Sequence, residues 1–264
     1  MADGVDFAQI ERDHVRRRLY LDFTWRAYEV FSPLNPLSRS LGEARVAVVT
    51  RAGAHHRGDR PFDTGVAAGD PSFWSFPSDS RLAELTLTHG GYDTRRAGRD
   101  PNVVLPLDPL RAAVREARIG ALAPTVYAFM GYVADTGPLV HDSGPEVARR
   151  LREDGAELVL VPTRPVCQQS VGLLQRVFDE AGLCTMSLTQ VAEITAIVKP
   201  SWALFVAHPF VLTFGDVGDT PTHRAVVDAL LEAAVAMDAP GIRASAFSWT
   251  KDSLRERQLR KMRP

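Results

Sequence analysis

ELVLVPTRPVCQQSVGLLQRVFDEAGLCTMSLT (residues 157–189) is the stretch that decides the fold. ELVLVP (157–162) is a short apolar run of the kind buried on both faces of a sheet. A turn of a few residues follows. QQSVGLLQRVFDEAG (168–182) then spaces apolar residues as an amphipathic helix does, and Gly182 closes it. CTMSLT (184–189) starts another strand. Strand, turn, helix and strand in about thirty residues make a βαβ unit, whose strands must lie parallel.

Outward from this unit the same alternation recurs. RVAVVT (45–50), ELTLTH (84–89), TVYAFMG (125–131) and WALFVAH (202–208) read as strands. Helices are expected over 106–120, which has proline near its start and glycine at its end, and over 143–156 and 223–237. A short one is expected to end near Val198. Apolar spacing through Val15, Leu19, Phe23 and Tyr28 predicts a helix over 13–31, broken by the prolines of SPLNPLSR (32–39). Residues 51–79 show no periodicity, and so long a loop in a compact domain tends to be functional or disordered. The fold class predicted is α/β: a Rossmann-like three-layer sandwich with a mostly parallel sheet, admitting two similar lobes. The organisation expected is an N-terminal helical segment (1–40), an α/β catalytic region (41–240) whose lobes would divide near 135–145, and a basic C-terminal tail (241–264).

Composition narrows the function. With 31 basic and 32 acidic residues, the net charge of −1 offers no field for nucleic acid or an anionic membrane, so a small-molecule substrate is expected. No apolar run reaches the ~20 residues that span a bilayer, and the first twenty residues lack a signal peptide's apolar core. The expectation is a cytoplasmic protein with two free thiols, Cys167 and Cys184.

Functional groups in such folds gather beyond the carboxyl ends of the strands. Cys167 follows the 157–162 strand at the start of a helix, where unsatisfied N–H groups favour a thiolate, and Arg164 adds a positive charge nearby. The alternative is a small core residue. Cys184, inside a strand, reads as core. His89 follows ELTLTH and would serve as a general base, or would tie a loop network. His55, Asp70 and Ser72 in the long loop, Tyr132 in FMGY, Thr163 in the turn and His208 after a strand are the candidate substrate contacts. His55 and His56 are adjacent and face opposite ways in an extended strand, and no HxxxH or CxxC spacing occurs, so no metal site is assigned. Neither GxGxxG nor GxxxxGK[ST] is present, so no nucleotide is indicated and the cofactor stays unknown.

AHHRGDRPFD (54–63), GDPSFWSFP (69–77), THGGYD (88–93), DPNVVLPLDPLR (100–111), IGALAPTVYAFMGYV (119–133), the stretch 145–182 and SLTQVAEITAIVKP (187–200) come in an order that resembles the selenoprotein B family of glycine, sarcosine and betaine reductases. The resemblance runs from about residue 40 to 235. It implies a selenol or thiol that attacks a substrate carbon and cleaves a C–N bond, helped by partner subunits. It also implies roles for His89, Tyr92 and Asp93. In the family a selenocysteine or cysteine stands three residues before the position of Cys167, and here that residue is Arg164. Three readings stay open. One is a Cys167-dependent enzyme on a small amino- or carboxylate-bearing molecule, with Arg164 gripping the carboxylate. The others are an acid–base or metal-assisted lyase or isomerase built on His89 and Asp93, and a non-catalytic subunit. A homo-oligomer or a partner subunit fits each.

Overall fold

The computed structural model of the chain describes residues 6–18, 20–90, 93–162, 168–236 and 238–249. Its centre is a sheet built from the short apolar runs. β1 (Arg45–Thr50), β6 (Thr125–Phe129), β7 (Leu158–Pro162), β8 (Cys184–Thr189), β9 (Trp202–Ala207) and β10 (Gly241–Ser248) are parallel, and β3 (Phe73–Pro77) adds antiparallel to β6. The spatial order is β3-β6-β1-β7-β8-β9-β10, and the two-residue β5 (Ala121–Leu122) also pairs with β1.

Parallel strands need cover on both faces, and alternate residues supply it. Val46, Val48, Leu158, Leu160, Met186 and Leu188 point into one core, with α3 (Leu107–Arg115) and α7 (Thr220–Ala236) over it. Ala47, Val49, Val159 and Val161 point into the other, under α4 (Gly144–Glu153) and α5 (Gln168–Glu180). The result is three layers of a mixed α/β protein. β1 and β7 are neighbours, with Val46 opposite Leu158, so one sheet continues across residues 135–145. Residues 241–248, set apart above as the start of a tail, form β10 on β9.

Two elements depart from the sequence pattern. The N-terminal helix α1 covers Phe7–Arg18, not 13–31, and residues 20–38 run as an irregular strap over α5. Helix α5 explains the departure, because its polar residues are buried and need partners. The strap supplies them: Arg26 N donates to Gln169 Oε1 at 2.7 Å, Ser32 Oγ to Asp179 Oδ2 at 2.5 Å, and Tyr28 stacks on the Arg176 guanidinium at 3.7 Å. A helix over 20–31 would tie up the Arg26 amide within its own ladder. The second departure is ELTLTH. β4 (Leu85–Leu87) stays outside the main sheet and pairs antiparallel with β2 (Ala54–His56) in a separate ribbon, so His89 does not follow a main-sheet strand.

Candidate functional site at the strand carboxyl ends

From β1 the chain crosses to β6 on one side, then returns past β1 to β7 on the other. That reversal makes a topological switch point, and the crevice beyond the carboxyl ends of β1 and β7 is where open α/β sheets bind ligands. Beyond β7, residues 163–167 (Thr163, Arg164 and Cys167 among them) lie outside the described residues, as does Tyr92. Their flanks are described. Pro162 ends β7, buried beside Leu188 of β8. Gln168, Gln169 and Ser170 open α5, all buried: Gln168 Oε1 accepts from Thr189 Oγ1 at 2.8 Å, and Ser170 Oγ donates to the Gly131 carbonyl at 3.2 Å. The helix start is therefore bolted to the ends of both β6 and β8.

The long loop lies along the same edge. Ala68 O accepts from the amides of Ala134 and Asp135, each at 2.9 Å, and Gly69 sits against the backbone of Tyr132 and Val133, where a Cβ would come within 2.3 Å of the Tyr132 carbonyl. Asp70 caps the loop by accepting from the amides of Asp63 and Ser72 at 2.9 Å. Burial alone would raise its pKa, but those bonds, the Ser72 hydroxyl and nearby Arg60 outweigh it and hold the carboxylate below its usual range. Asp70 and Ser72 line an open hollow of about 530 Å³, together with Arg60, Asp63, Phe73 and Trp74. Half-buried Tyr132 lines a second cavity together with Gln169 and Ser170 of α5.

His55 is buried, and both ring nitrogens are engaged. Nδ1 donates to the His56 carbonyl at 2.8 Å, and Nε2 shares a hydrogen bond with Thr88 Oγ1 at 2.8 Å. His89 is buried close to the ribbon, and exposed Asp93 is clasped by Arg95 at 2.7–2.9 Å. His208 follows β9, two strands from β7. Its Nδ1 donates to Thr213 O at 3.1 Å, and burial lowers its pKa. Gln190 ties this corner together through the His208 carbonyl and the Thr213 hydroxyl. The structure thus places Tyr132 beside the α5 start, sets Asp70 and Ser72 in the separate hollow of the long loop, and leaves His55 and His208 in networks of their own. Among the described residues, no three His, Cys, Asp or Glu side chains converge to hold a metal. Cys184 is core: burial, then the charge of Asp179, pushes its thiol up to about 12.

Two groups escaped the sequence reading. Arg51, directly after β1, is wholly buried with its guanidinium 5.4 Å from the Phe129 ring centroid. Its signal was a cation ending an apolar strand in a fold whose strand ends carry function. Glu11 on α1 borders a cavity of about 20 Å³ that Tyr132, Gln169 and Ser170 also line, and burial raises its pKa to about 7. A largely polar helix gave no sign of it.

Residues 22–163 match the model of the glycine/sarcosine/betaine reductase selenoprotein B family, over half of the chain. The chain belongs to that family. It is 35% identical over 165 residues to D-proline reductase subunit gamma of Acetoanaerobium sticklandii, covering 60% of this chain and 67% of that one. It is 29% identical over 187 residues to sarcosine reductase complex component B subunit beta of Peptoclostridium acidaminophilum, covering 67% of this chain and 42% of that one. Glycine reductase complex component B subunit gamma of Carboxydothermus hydrogenoformans is 27% identical over 172 residues, covering 63% and 39%. The chain therefore spans about two thirds of the proline reductase subunit and about two fifths of the other two. No solved structure matches it. The selenoprotein B match takes in β1, the ribbon, the long loop, β6 and β7, and it stops one residue before Arg164. No helix among the described residues is long and apolar enough to cross a membrane.

Proposed function

We propose that this chain is a thiol-dependent reductase subunit in which Cys167 breaks a carbon–nitrogen bond of a small amino acid. One observation carries the reading. The segment holding Cys167 joins the end of β7, beside β1 at the switch point, to a helix start held by side-chain bonds to β6 and β8. A thiolate there gains from the amide dipoles of α5. The substrate class follows the relatives' names, which share small α-amino acids and their N-substituted forms. Arg164 would grip the carboxylate as a planar fork, with Arg51 a second cation at the neighbouring strand end.

In the proposed reaction the Cys167 sulfur forms a bond to the carbon bearing nitrogen. The C–N electron pair leaves with nitrogen, which takes a proton, and a thioether remains. A dithiol on a partner subunit then attacks the Cys167 sulfur, and the carbon leaves as a carbanion and is protonated. The second thiol of that dithiol releases Cys167 and closes as a disulfide. The dithiol is oxidised by two electrons and the C–N bond is reduced by two. Relatives named as subunits of reductase complexes support a partner in this role. Dependence on reduced thiols suits the cytoplasm.

Arg164, at the position of the family's selenocysteine, favours a second reading in which the chain is an assembly subunit without chemistry of its own. An acid–base enzyme on His89 and Asp93 is less favoured, since Asp93 is already clasped by Arg95. Iodoacetamide labelling near neutral pH separates these readings. Cys167 is expected to react at least ~100-fold faster than Cys184, with D-proline or sarcosine protecting it. Slow labelling that no amino acid slows would refute the catalytic reading.

A further inference from the structure

A buried carboxyl that the proposed reaction leaves unused lies on α1, before residue 22 where the family match begins. Glu11 is 8% exposed, and its Oε1 has no hydrogen-bond partner among the described residues. It borders the cavity of about 20 Å³, whose other walls include Phe23, Trp25, Tyr132, Gln169 and Ser170. A buried acceptor without a donor costs about 1–3 kcal/mol. On the walls, Ser170 Oγ donates to Gly131 O, Trp25 Nε1 donates to Ala8 O, and Gln169 Oε1 accepts from the Arg26 amide. No described residue donates to Glu11 Oε1, and a ligand entering the cavity would supply that donor. Among the described residues, one carboxyl, three aromatic rings and no cation line the cavity, a setting that selects a positive charge over an anion.

We propose that this cavity is an ammonium subsite, in which Glu11 Oε1 accepts from a protonated amine enclosed by Phe23, Trp25 and Tyr132. Space for about one water molecule admits the nitrogen and little else, so the rest of the ligand extends outward past Gln169 and Ser170. The assignment rests on the Cys167 reading only in taking that ligand to be the substrate, whose amino group would be held beside the start of α5. Among the described residues Tyr132 is the other titratable group lining the cavity. The strap adds exposed Asp22 and the half-buried Arg26, and α6 (Ala192–Val198), packed on α1, adds exposed Glu193. Burial raises the Glu11 pKa to about 7. A bound cation favours the carboxylate, so binding releases a proton below that value and none well above it.

Calorimetric titration of the full chain, in two buffers of different ionisation enthalpy, tests the subsite. The probes are methylammonium chloride, D-proline and tetrahydrofuran-2-carboxylate, which replaces the proline nitrogen by oxygen. Both amines are expected to bind with proton release near pH 6 and none near pH 8.5, and Glu11→Gln is expected to weaken them at least ~10-fold while leaving the oxygen analogue unchanged. Amine binding that is undetectable, unaltered in Glu11→Gln, or free of proton release near pH 6 overturns the assignment. If Glu11→Gln does not fold, proton release by the unaltered chain decides. Cys167→Ser is expected to keep the amine binding, so failure of the thiol chemistry and failure of the subsite are read separately.

Discussion

Replacing Asp179 by Asn should make the protein relatively more stable at alkaline pH than at acid pH. Asp179 is 1% exposed near the end of α5 and accepts from Thr185 Oγ1 at 2.5 Å, Ser32 Oγ at 2.5 Å and the Ser201 amide at 3.2 Å. Three donors favour the carboxylate, yet burial outweighs them and raises its pKa from 3.8 to about 6. A folded-state pKa above the unfolded one means that the native chain holds the extra proton between those values, so stability falls as pH rises from about 4 to 6 and is level beyond. At about 1.4 kcal/mol per unit, ionising Asp179 costs the fold about 3 kcal/mol. Asn never ionises. Its carbonyl serves one side of the network, and the Ser and Thr hydroxyls can turn to accept from its amide. Guanidinium unfolding of both proteins at pH 4 and pH 8 reads the effect, because titrations common to the two cancel. Because the unfolded carboxyl is already partly ionised at pH 4, the variant is expected to gain about 2 kcal/mol on the parent between the two conditions. A difference that stays constant within about 0.5 kcal/mol, or moves the other way, would refute the argument that burial governs this carboxyl.

Two further outcomes follow from the same geometry. Gly53 has φ +69° and a Cβ there would stand 1.9 Å from the Thr88 carbonyl, so Gly53→Ala should cost at least ~3 kcal/mol by thermal unfolding. Gly58→Ala, with open space around it, is the control and should cost under about 1 kcal/mol. Burial depresses the His208 pKa, so the unfolded chain binds the proton first and acidification through about 6.5 removes stability. In a titration followed by NMR, its ring should show a midpoint below 6.5, and a midpoint at or above that value would contradict the buried, neutral ring.

The strands and helices of the main sheet were legible because parallel strands buried on both faces write continuous apolar runs. RVAVVT became β1, and 157–162 and 184–189 became β7 and β8 almost residue for residue. The family was legible in the order of its motifs. The covering of α5 was not. Its Gln169, Arg176 and Asp179 look like a solvated helix face in sequence, and only the strap, more than a hundred residues away, makes them interior. The same long-range partnership hid the true extent of α1, since Phe23 and Tyr28 keep helical spacing while packing as irregular chain. ELTLTH read as a strand correctly, but periodicity carries no information about its partner, and β4 chose β2 over the main sheet. Glu11 was invisible for a related reason. A carboxyl on a polar helix declares itself only when the strap closes over it.

The strap holds α5 at two stations, through Gln169 in its first turn and Asp179 in its last. A helix pinned near both ends cannot slide along its axis or roll without breaking two sets of buried bonds at once. It behaves as an anvil rather than a lever. Whatever adjustment a ligand demands at this edge of the sheet must be absorbed by the chain around α5, and the strap residues from Arg26 to Asn35 are what keep the anvil still.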